Sequence, residues 1–241
     1  MLPAVEPVYG ALRNTLVVPT RLAMRWTLEG AQRIPVRGPV ILASNHVSYL
    51  DPLVLGYLAD RRHRRVRFLA KHELFEKVPM GAILRAARQI PVSRDTTDAA
   101  GSLDAAIRAT RAGECIGVFP EGTISLDLDP MVGKTGAARL AAATGVAITP
   151  VGLWGAQRIL FKGRKPRWRR GIAETVVVGD PIRVGPDEDP RVATDRLMAA
   201  IAGCVARARQ LYPQQPRAGE GDWWVRPPES AFARVTGPAP T

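Results

Sequence analysis

The chain has 241 residues, of which 46% are hydrophobic, and a formal net charge of +12. This length and composition predict one domain with a sizeable core. No unbroken apolar run reaches the roughly 18 residues that a membrane-spanning helix needs, and the N-terminus lacks the features of a signal peptide, so we expect the chain to stay on the cytoplasmic side.

The N-terminal residues 8–28 are predicted to be helical, and Pro19 is expected to kink this segment or split it in two. Three arginines fall within one third of the helical wheel, at Arg13, Arg21 and Arg25. Basic residues beside leucines and a tryptophan are typical of a helix in the headgroup region of a membrane. Packing against the chain's own domain fits the pattern equally well. We assign residues 1–34 to this amphipathic helical segment.

From Gly38 onward, short apolar runs alternate with helical patterns. The predicted strands are residues 39–43, 66–70, 89–92, 115–119, 146–153 and 174–178. The predicted helices are residues 51–58, 79–88, 98–112, 133–144 and 189–210. This alternation predicts an α/β fold, in which a mixed, largely buried central sheet is flanked by helices.

The composition changes after Tyr212, where Pro, Gly, Gln and charged residues dominate. We assign residues 35–212 to the folded domain and predict that residues 213–241 form a poorly ordered tail. Trp223-Trp224 is the exception within this tail. The tryptophan pair either docks on the domain or rests at a lipid interface.

The two cysteines, Cys115 and Cys204, are too few for a disulfide framework. We predict that both are reduced packing residues, because a free cysteine behaves as a small hydrophobe. No spacing of Cys and His resembles a metal site, so the sequence predicts no metal.

The positive charge is concentrated in two short segments. Residues 61–67 carry five arginines, and residues 158–170 carry seven lysines and arginines without any acid. Such segments bind polyanions, which include nucleic acids, anionic lipid headgroups and phosphorylated substrates. A solvated surface without a partner is the alternative. Nucleic acid is the weakest of these predictions, because only 6% of the residues are aromatic and no recognition motif is present.

An imidazole and a carboxylate follow the first predicted strand, at His46 and Asp51. A loop at the end of a strand is the usual place for function in an open α/β sheet. A carboxylate that binds one ring nitrogen leaves the other nitrogen free as a base. Asp51 has other interpretations: it could cap the helix that begins at Pro52, or Ser48 could be the cap with Asp51 completing a capping box.

A second motif, Phe-Pro-Glu-Gly-Thr at residues 119–123, follows the strand at 115–119. Glu121 adds a carboxylate, Gly122 permits close approach to a ligand, and Thr123 adds a hydroxyl. A simple turn is the alternative. Together the two motifs predict one site that moves a proton and binds a polar substrate. Lys71 and Arg94 also end predicted strands, where cations would suit a phosphate, although each alone is typical of a surface charge.

This set of motifs resembles the glycerolipid acyltransferases, most closely the lysophosphatidic acid acyltransferases of the PlsC type. The resemblance covers roughly residues 35–185. Four blocks carry it: Asn45, His46 and Asp51; Ile90 to Arg94; Phe119 to Thr123 with Ser125; and Thr149 to Gly152.

The resemblance implies a glycerolipid acyltransferase fold and an O-acyltransferase of phospholipid biosynthesis. The acyl group would pass from acyl-CoA or acyl carrier protein to a glycerol phosphate or a lysophospholipid. The reaction that the resemblance favours is the acylation of lysophosphatidate to phosphatidate. His46 would be the general base and Asp51 would orient it. The implied acceptor-binding residues are Lys71, Arg94, Glu121, Gly122 and Thr123. No metal or redox cofactor is implied. The implied localisation is that of a peripheral or monotopic protein on the cytoplasmic face of a membrane with anionic lipids.

One position departs from the family pattern. The family usually has arginine after Glu-Gly-Thr, and this chain has Ile124. Arg94, Lys71 or Lys134 could supply the missing cation, so glycerol 3-phosphate or another lysolipid stays open as the acceptor. A thioesterase that uses His46 and water is the other enzymatic alternative.

Three further classes are disfavoured by the sequence. Gly133-Lys134-Thr135 is not a P-loop, because the glycine that the motif needs five places earlier is Leu128. A serine esterase of the α/β-hydrolase type would need a Gly-x-Ser-x-Gly elbow, which this chain does not contain. An inactive scaffold would not be expected to retain His46 and Asp51.

Overall fold

The computed structural model describes residues 10–11, 13–92, 99–218 and 221–225. Within them, seven strands form one sheet. The strands are β1 (Met24–Glu29), β2 (Val40–Ser44), β3 (Val66–Lys71), β4 (Ile90–Val92), β5 (Cys115–Val118), β6 (Ile148–Trp154) and β7 (Ile172–Val178).

The N-terminal helix, α1, begins as a π-helical turn over Arg13–Val17 and continues as an α-helix over Val18–Ala23. The change falls next to Pro19, the residue that lacks an amide hydrogen. The other helices are α2 (Asp51–Asp60), α3 (Glu73–Glu76), α4 (Met80–Ala86), α5 (Ala99–Arg111), α6 (Gly136–Thr144) and α7 (Pro190–Leu211). No helix in these described ranges is both long and apolar enough to cross a bilayer.

The spatial order of the strands is β1-β7-β6-β2-β5-β3-β4. Only β6 and β7 pair antiparallel, and every other neighbouring pair is parallel. The predicted α/β fold with a mixed central sheet is confirmed. Because β2, β3, β5 and β6 run in the same direction, the loops that follow them lie at one edge of the sheet. The start of the antiparallel strand β7 lies at that same edge.

Strand β2 shows how the sheet is buried on both faces. Its successive side chains point to opposite sides, as the pleat requires. Val40 and Leu42 join an apolar cluster with residues of α2, whereas Ile41 and Ala43 join a second cluster with residues of α6 and α7. A strand with helices on both faces has no solvent-facing side, which explains its continuous apolar sequence.

The helical prediction for residues 24–28 is wrong, because these residues belong to strand β1. Met24, Trp26 and Leu28 alternate with polar residues, which is the period of a strand. β1 pairs in parallel with β7, and the ring of Trp26 packs 4.2 Å from that of Tyr57 on α2. The sheet therefore begins before the boundary that the sequence predicted at residue 35.

Part of the segment that the sequence predicts as a poorly ordered tail packs against the domain, namely Gln214, Trp223 and Trp224; residues 219–220 and 226–241 lie outside the described residues. Trp224 is 2% exposed, and the guanidinium of Arg158 stacks on its ring at 3.9 Å. Gln214 accepts a hydrogen bond from Arg158 and donates one to the carbonyl of Gly171. Of the two interpretations of the tryptophan pair, docking on the domain is the correct one for Trp224.

We expect Trp224→Ala to lower the free energy of unfolding by about 3–5 kcal/mol, because it leaves a cavity and exposes the Arg158 guanidinium. The matched control is Trp168→Ala, since Trp168 is 72% exposed and its removal should change stability by about 0.5 kcal/mol or less. Urea denaturation followed by circular dichroism measures both. Equal losses in the two variants would contradict the docked C-terminal segment.

Candidate active site

His46 and Asp51 meet at the edge of the sheet, where β2 ends and α2 begins. Nδ1 of His46 lies 2.8 Å from Oδ2 of Asp51. The same oxygen accepts the backbone amides of Val47 and Ser48, at 2.7 Å each. Because this oxygen is surrounded by donors, the imidazole proton belongs on Nδ1. Nε2 has no hydrogen-bond partner in the described part of the chain and is left as an acceptor.

The structure excludes Asp51 as the N-cap of α2 but contains part of the predicted capping box, because Oδ2 of Asp51 accepts the amide of Ser48 and the Ser48 hydroxyl accepts the amide of Leu50. The residue at the N-cap of α2 is Leu50, and no side chain makes a capping hydrogen bond there. Asp51 instead points back into its own loop, and it is fully buried. Its place in the first turn of α2 still favours its negative charge, because the amino end of a helix carries positive partial charge.

The second motif holds the backbone of His46 from both sides. Oε1 of Glu121 accepts the amide of His46 at 2.8 Å, and the amide of Ser125 donates to the carbonyl of His46 at 2.8 Å. The other oxygen of Glu121 accepts the amide of Met131. Glu121 therefore supports His46 directly, a role that the sequence did not reveal.

Burial raises the pKa of Glu121 to about 8. The amides of His46 and Met131 favour the anion and lower this pKa, while the negative charge of Asp51 raises it. The site thus contains a second buried carboxyl group, because Glu121 binds the loop of residues 45–50 between β2 and α2, here named the histidine loop. Two full charges so close together in a low dielectric are unfavourable, so a proton on Glu121 is favoured at neutral pH.

The imidazole ring of His46 stacks on Phe119 at a centroid distance of 4.2 Å, and Phe68 of β3 stacks on Phe119 at 5.9 Å. The side chain of His46 is 17% exposed, so a substrate atom has access to it. Gly122 adopts a left-handed conformation with a φ of 69°, and its amide closes the turn onto the carbonyl of Phe119. Thr123 follows the turn with an exposed side chain.

The predicted cations occupy different positions. Lys71 is exposed at the end of β3, two strands away from β2 on the same edge of the sheet. Arg94 lies outside the described residues. Ile124, which stands where the family usually has arginine, is buried in the core. Lys134 lies against the Glu-Gly-Thr turn: a Cβ placed on Gly122 would be 3.2 Å from the Lys134 Nζ.

Three supporting contacts were missed by the sequence analysis. The side-chain amide of Asn45 exchanges two hydrogen bonds with the backbone of Leu153 on β6. The Ser48 hydroxyl lies within hydrogen-bonding distance of the carbonyls of Ala156 and Leu160. These contacts tie the histidine loop to β6 and the loop after it. Arg209 of α7 pairs with Asp129 at 2.7 Å and so secures the loop after the second motif. Only Asn45 carried a signal in the sequence, as part of the first motif.

Neither cysteine belongs to the site. Cys115 and Cys204 are free and buried, as predicted for packing residues. Burial raises the pKa of Cys115 to about 12 and that of Cys204 to about 11, so both remain thiols at neutral pH. Among the described residues, no group of three or more His, Cys, Asp or Glu side chains is arranged to hold a metal ion.

Known acyltransferases are similar to this chain in sequence. The chain is 33% identical over 136 residues to the 1-acyl-sn-glycerol-3-phosphate acyltransferase of Borreliella burgdorferi, a match that covers 56% of this chain and 53% of that protein. It is 24% identical over 206 residues to the enzyme of the same name from Bacillus subtilis, covering 85% and 96%. A lyso-ornithine lipid O-acyltransferase of Rhizobium meliloti is 34% identical over 90 residues, covering 37% and 29%. The match thus spans about half the length of the Borreliella relative.

The fold also matches a solved structure. The crystal structure of the 1-acyl-sn-glycerophosphate acyltransferase PlsC from Thermotoga maritima superposes with a TM-score of 0.66 and 25% sequence identity, over 87% of this chain and 82% of that chain. The acyltransferase family model matches residues 25–154, which is more than half of the chain and includes His46, Asp51 and the Glu-Gly-Thr turn. The resemblance predicted from the sequence is confirmed, and the chain belongs to the acyltransferase family.

Proposed function

We propose that this acyltransferase transfers a fatty acyl group from a thioester, acyl-CoA or acyl carrier protein, to the hydroxyl of lysophosphatidate, to give phosphatidate. The observation that carries the proposal is the imidazole of His46, held through Nδ1 by buried Asp51 with Nε2 open to a substrate. The Borreliella and Bacillus relatives are named for acylation of 1-acyl-sn-glycerol 3-phosphate, which supports this acceptor. Glycerol 3-phosphate and other lysolipids are the competing acceptors.

The proposed reaction is a direct transfer. Nε2 of His46 takes the proton of the acceptor hydroxyl while its oxygen attacks the thioester carbonyl carbon. The C–S bond then breaks, and the departing thiolate takes the proton back from the imidazolium. Asp51 stabilises the imidazolium between these steps, and general-base catalysis of this kind contributes roughly 10²–10⁴-fold to the rate. The reaction as proposed needs neither a covalent acyl-enzyme nor a metal or redox cofactor.

We expect His46→Ala to lower kcat at least about 100-fold while the protein stays folded, because the variant loses the general base. His72→Ala is the matched control, since His72 is an exposed histidine beside Glu76 and should leave kcat unchanged. Purified enzyme, labelled palmitoyl-CoA and a panel of glycerol phosphates and lysolipids provide the assay. Near wild-type transfer by His46→Ala would refute the mechanism, and labelled free fatty acid as the only wild-type product would favour the thioesterase.

For the acceptor phosphate, we propose Lys134 as the cation of this chain, with Lys71 and Arg94 as further candidates. Ile124 has no charge and faces the core, so it offers nothing to a phosphate. The amide of Lys134 donates to the carbonyl of Pro120, which fixes this residue beside the Glu-Gly-Thr turn. Its side chain is exposed and runs along Gly122, a residue without a Cβ to push it away. A phosphate bound there would lie next to the turn that braces His46.

Lys134→Gln should raise the KM for lysophosphatidate at least about 10-fold and leave the KM for the thioester unchanged, since only the acceptor carries its phosphate to this position. Arg139→Gln serves as the control, because Arg139 is an exposed cation on α6 and lies away from the turn. Steady-state kinetics with each substrate varied in turn gives both constants. Equal changes in the two KM values would indicate a structural role for Lys134.

The surface also supports the proposal of a peripheral protein on an anionic membrane. Residues 162–170 contain six lysines and arginines, and all nine residues are exposed, including Trp168. This segment follows Leu160, whose carbonyl accepts the amide of Tyr49 in the histidine loop. Helix α1 buries none of its described side chains, and Leu22 is 69% exposed. Basic residues next to exposed apolar side chains suit a headgroup layer.

The other basic segment, residues 61–67, is less available to bind a membrane, because several of its arginines are bound within the protein. Arg62 and Arg64 donate to backbone carbonyls at Ile34, Pro35, Gly38 and Gly113, and Arg67 pairs with Glu114. These contacts fix the turn between α2 and β3. The membrane-facing role is therefore proposed for residues 162–170 and not for residues 61–67.

We expect the triple variant Trp168→Ala/Arg169→Ser/Arg170→Ser to weaken binding to phosphatidylglycerol vesicles at least about 10-fold, since each cation near an anionic surface contributes on the order of 1 kcal/mol. Arg108→Gln/Arg139→Gln removes two exposed charges elsewhere and should bind nearly as well as wild type. Vesicle co-sedimentation at several salt concentrations measures the affinity. Salt-insensitive binding, or equal loss in both variants, would contradict the proposal.

A further inference from the structure

A glutamate lies where the sheet otherwise buries apolar side chains. Glu174 is in β7 between Ile172 and Val176, two members of the apolar cluster that packs beneath α2. It is fully buried. A carboxyl group in such a place is costly unless it is neutralised or hydrogen-bonded. Neither of the proposed reaction steps uses it, so its presence in the core calls for an explanation.

A short series of contacts connects Glu174 to the histidine loop, which precedes Asp51. A Cβ placed on Gly155, the residue after β6, would be 2.8 Å from Oε2 of Glu174. The next residue, Ala156, has its carbonyl within hydrogen-bonding distance of the Ser48 hydroxyl, and the amide of Ser48 donates to Asp51. Gly155 has a φ of 141°, so this close approach is built around a residue without a side chain.

Both carboxyl groups contain oxygen atoms without a partner. Oδ1 of Asp51 and both carboxyl oxygens of Glu174 are buried, and none makes a well-formed hydrogen bond within the described ranges. Two carboxylates would have acceptors only, and the unmade hydrogen bonds would be unfavourable in the core. One proton, held by Glu174, converts the pair into a donor and an acceptor.

The electrostatics favour the proton on Glu174. Burial raises the pKa of Glu174 well above its usual range, and the negative charge of Asp51 raises it further. The backbone amides of Ala156 and Trp154 approach the carboxyl group and offset only part of this rise. Asp51, in contrast, already accepts hydrogen bonds from three donors at its Oδ2.

We infer that Glu174 is a positioning residue for the proposed general base: its protonated carboxyl group donates a hydrogen bond, directly or through one buried water, to Oδ1 of Asp51. This inference rests on the proposed function of His46. The bond fixes the rotation of the Asp51 carboxylate, so that Oδ2 stays aligned with Nδ1 of His46. Asp51 would then be held at both oxygens, by the histidine loop at one and by β7 at the other.

The test compares two substitutions at this position. Glu174→Gln keeps a neutral donor of the same length, so its kcat should stay within about 3-fold of wild type and its pH–rate profile should not move. Glu174→Leu removes the donor and should lower kcat about 10–100-fold with both KM values unchanged, the size of effect that is typical of an outer supporting contact. Thr175→Val is the matched control: it also removes a buried, unpartnered polar group from β7, at the adjacent residue, and should leave kcat unchanged.

A spectroscopic readout separates this inference from the proposed function. The Nδ1 proton of His46 should give a low-field NMR signal in the substrate-free enzyme, assigned by its absence in His46→Gln. Glu174→Gln should retain the signal, and Glu174→Leu should shift it by about 1 ppm or broaden it. If the wild type fails to transfer acyl groups, the proposed function falls, while this signal still tests the contact.

Two results would overturn the inference. The first is wild-type kcat and an unchanged Nδ1 signal in Glu174→Leu. The second is a displaced acid limb of kcat/KM in Glu174→Gln, which would show that residue 174 is ionised in the working enzyme. The second measurement decides the matter even if Glu174→Leu does not fold, because the glutamine variant preserves both the volume and the donor of the site.

Discussion

One carboxylate oxygen organises the site. Oδ2 of Asp51 receives the imidazole of His46 and the amides of Val47 and Ser48, so a single atom sets both the ring orientation and the path of the loop. Breaking any of these contacts would leave a buried polar group without its partner. The base and the backbone that carries it are therefore fixed together, by a carboxylate that stands at the start of α2.

The surrounding sheet makes this arrangement possible. Strands β2, β5 and β6 end at the same edge, so the loops after them meet, and each contributes to holding the histidine loop. The loop after β5 binds the backbone of His46 on both sides, and the loop after β6 binds Ser48. Three buried carboxyl groups converge on this region, and only Asp51 touches the ring. Burial raises the pKa of the other two, Glu121 and Glu174, which favours a proton on each.

Much of the fold and the centre of the site were predictable from the sequence. The strands β2 and β5 were predicted correctly because a strand that is buried on both faces needs a continuous run of apolar residues, and such a run is visible in the sequence. His46 and Glu121 were singled out because each lies in the loop that follows such a strand, and Asp51 because it lies five residues after His46. Strand β1 was missed: its alternation of apolar and polar residues was present in the sequence, but the leucines and arginines before it favoured a longer helix.

Other features depend on contacts between distant residues, which a linear pattern does not encode. The docking of Trp224 depends on Arg158, 66 positions earlier in the chain. The placement of Glu174 beside Asp51 depends on the antiparallel pairing of β6 and β7. The bracing role of Glu121 depends on a backbone amide, a group that every residue except proline carries. Such contacts do not determine residue type or spacing along the chain, so they could not be predicted from the sequence pattern.

The burial of Ile124 limits what this position can hold. An arginine here would require a guanidinium to be placed in the core or the turn after β5 to be rebuilt, at a cost on the order of several kcal/mol. Electrostatic contact with a ligand beside this turn therefore has to come from a neighbouring residue, and Lys134 is the one whose ammonium group lies against Gly122.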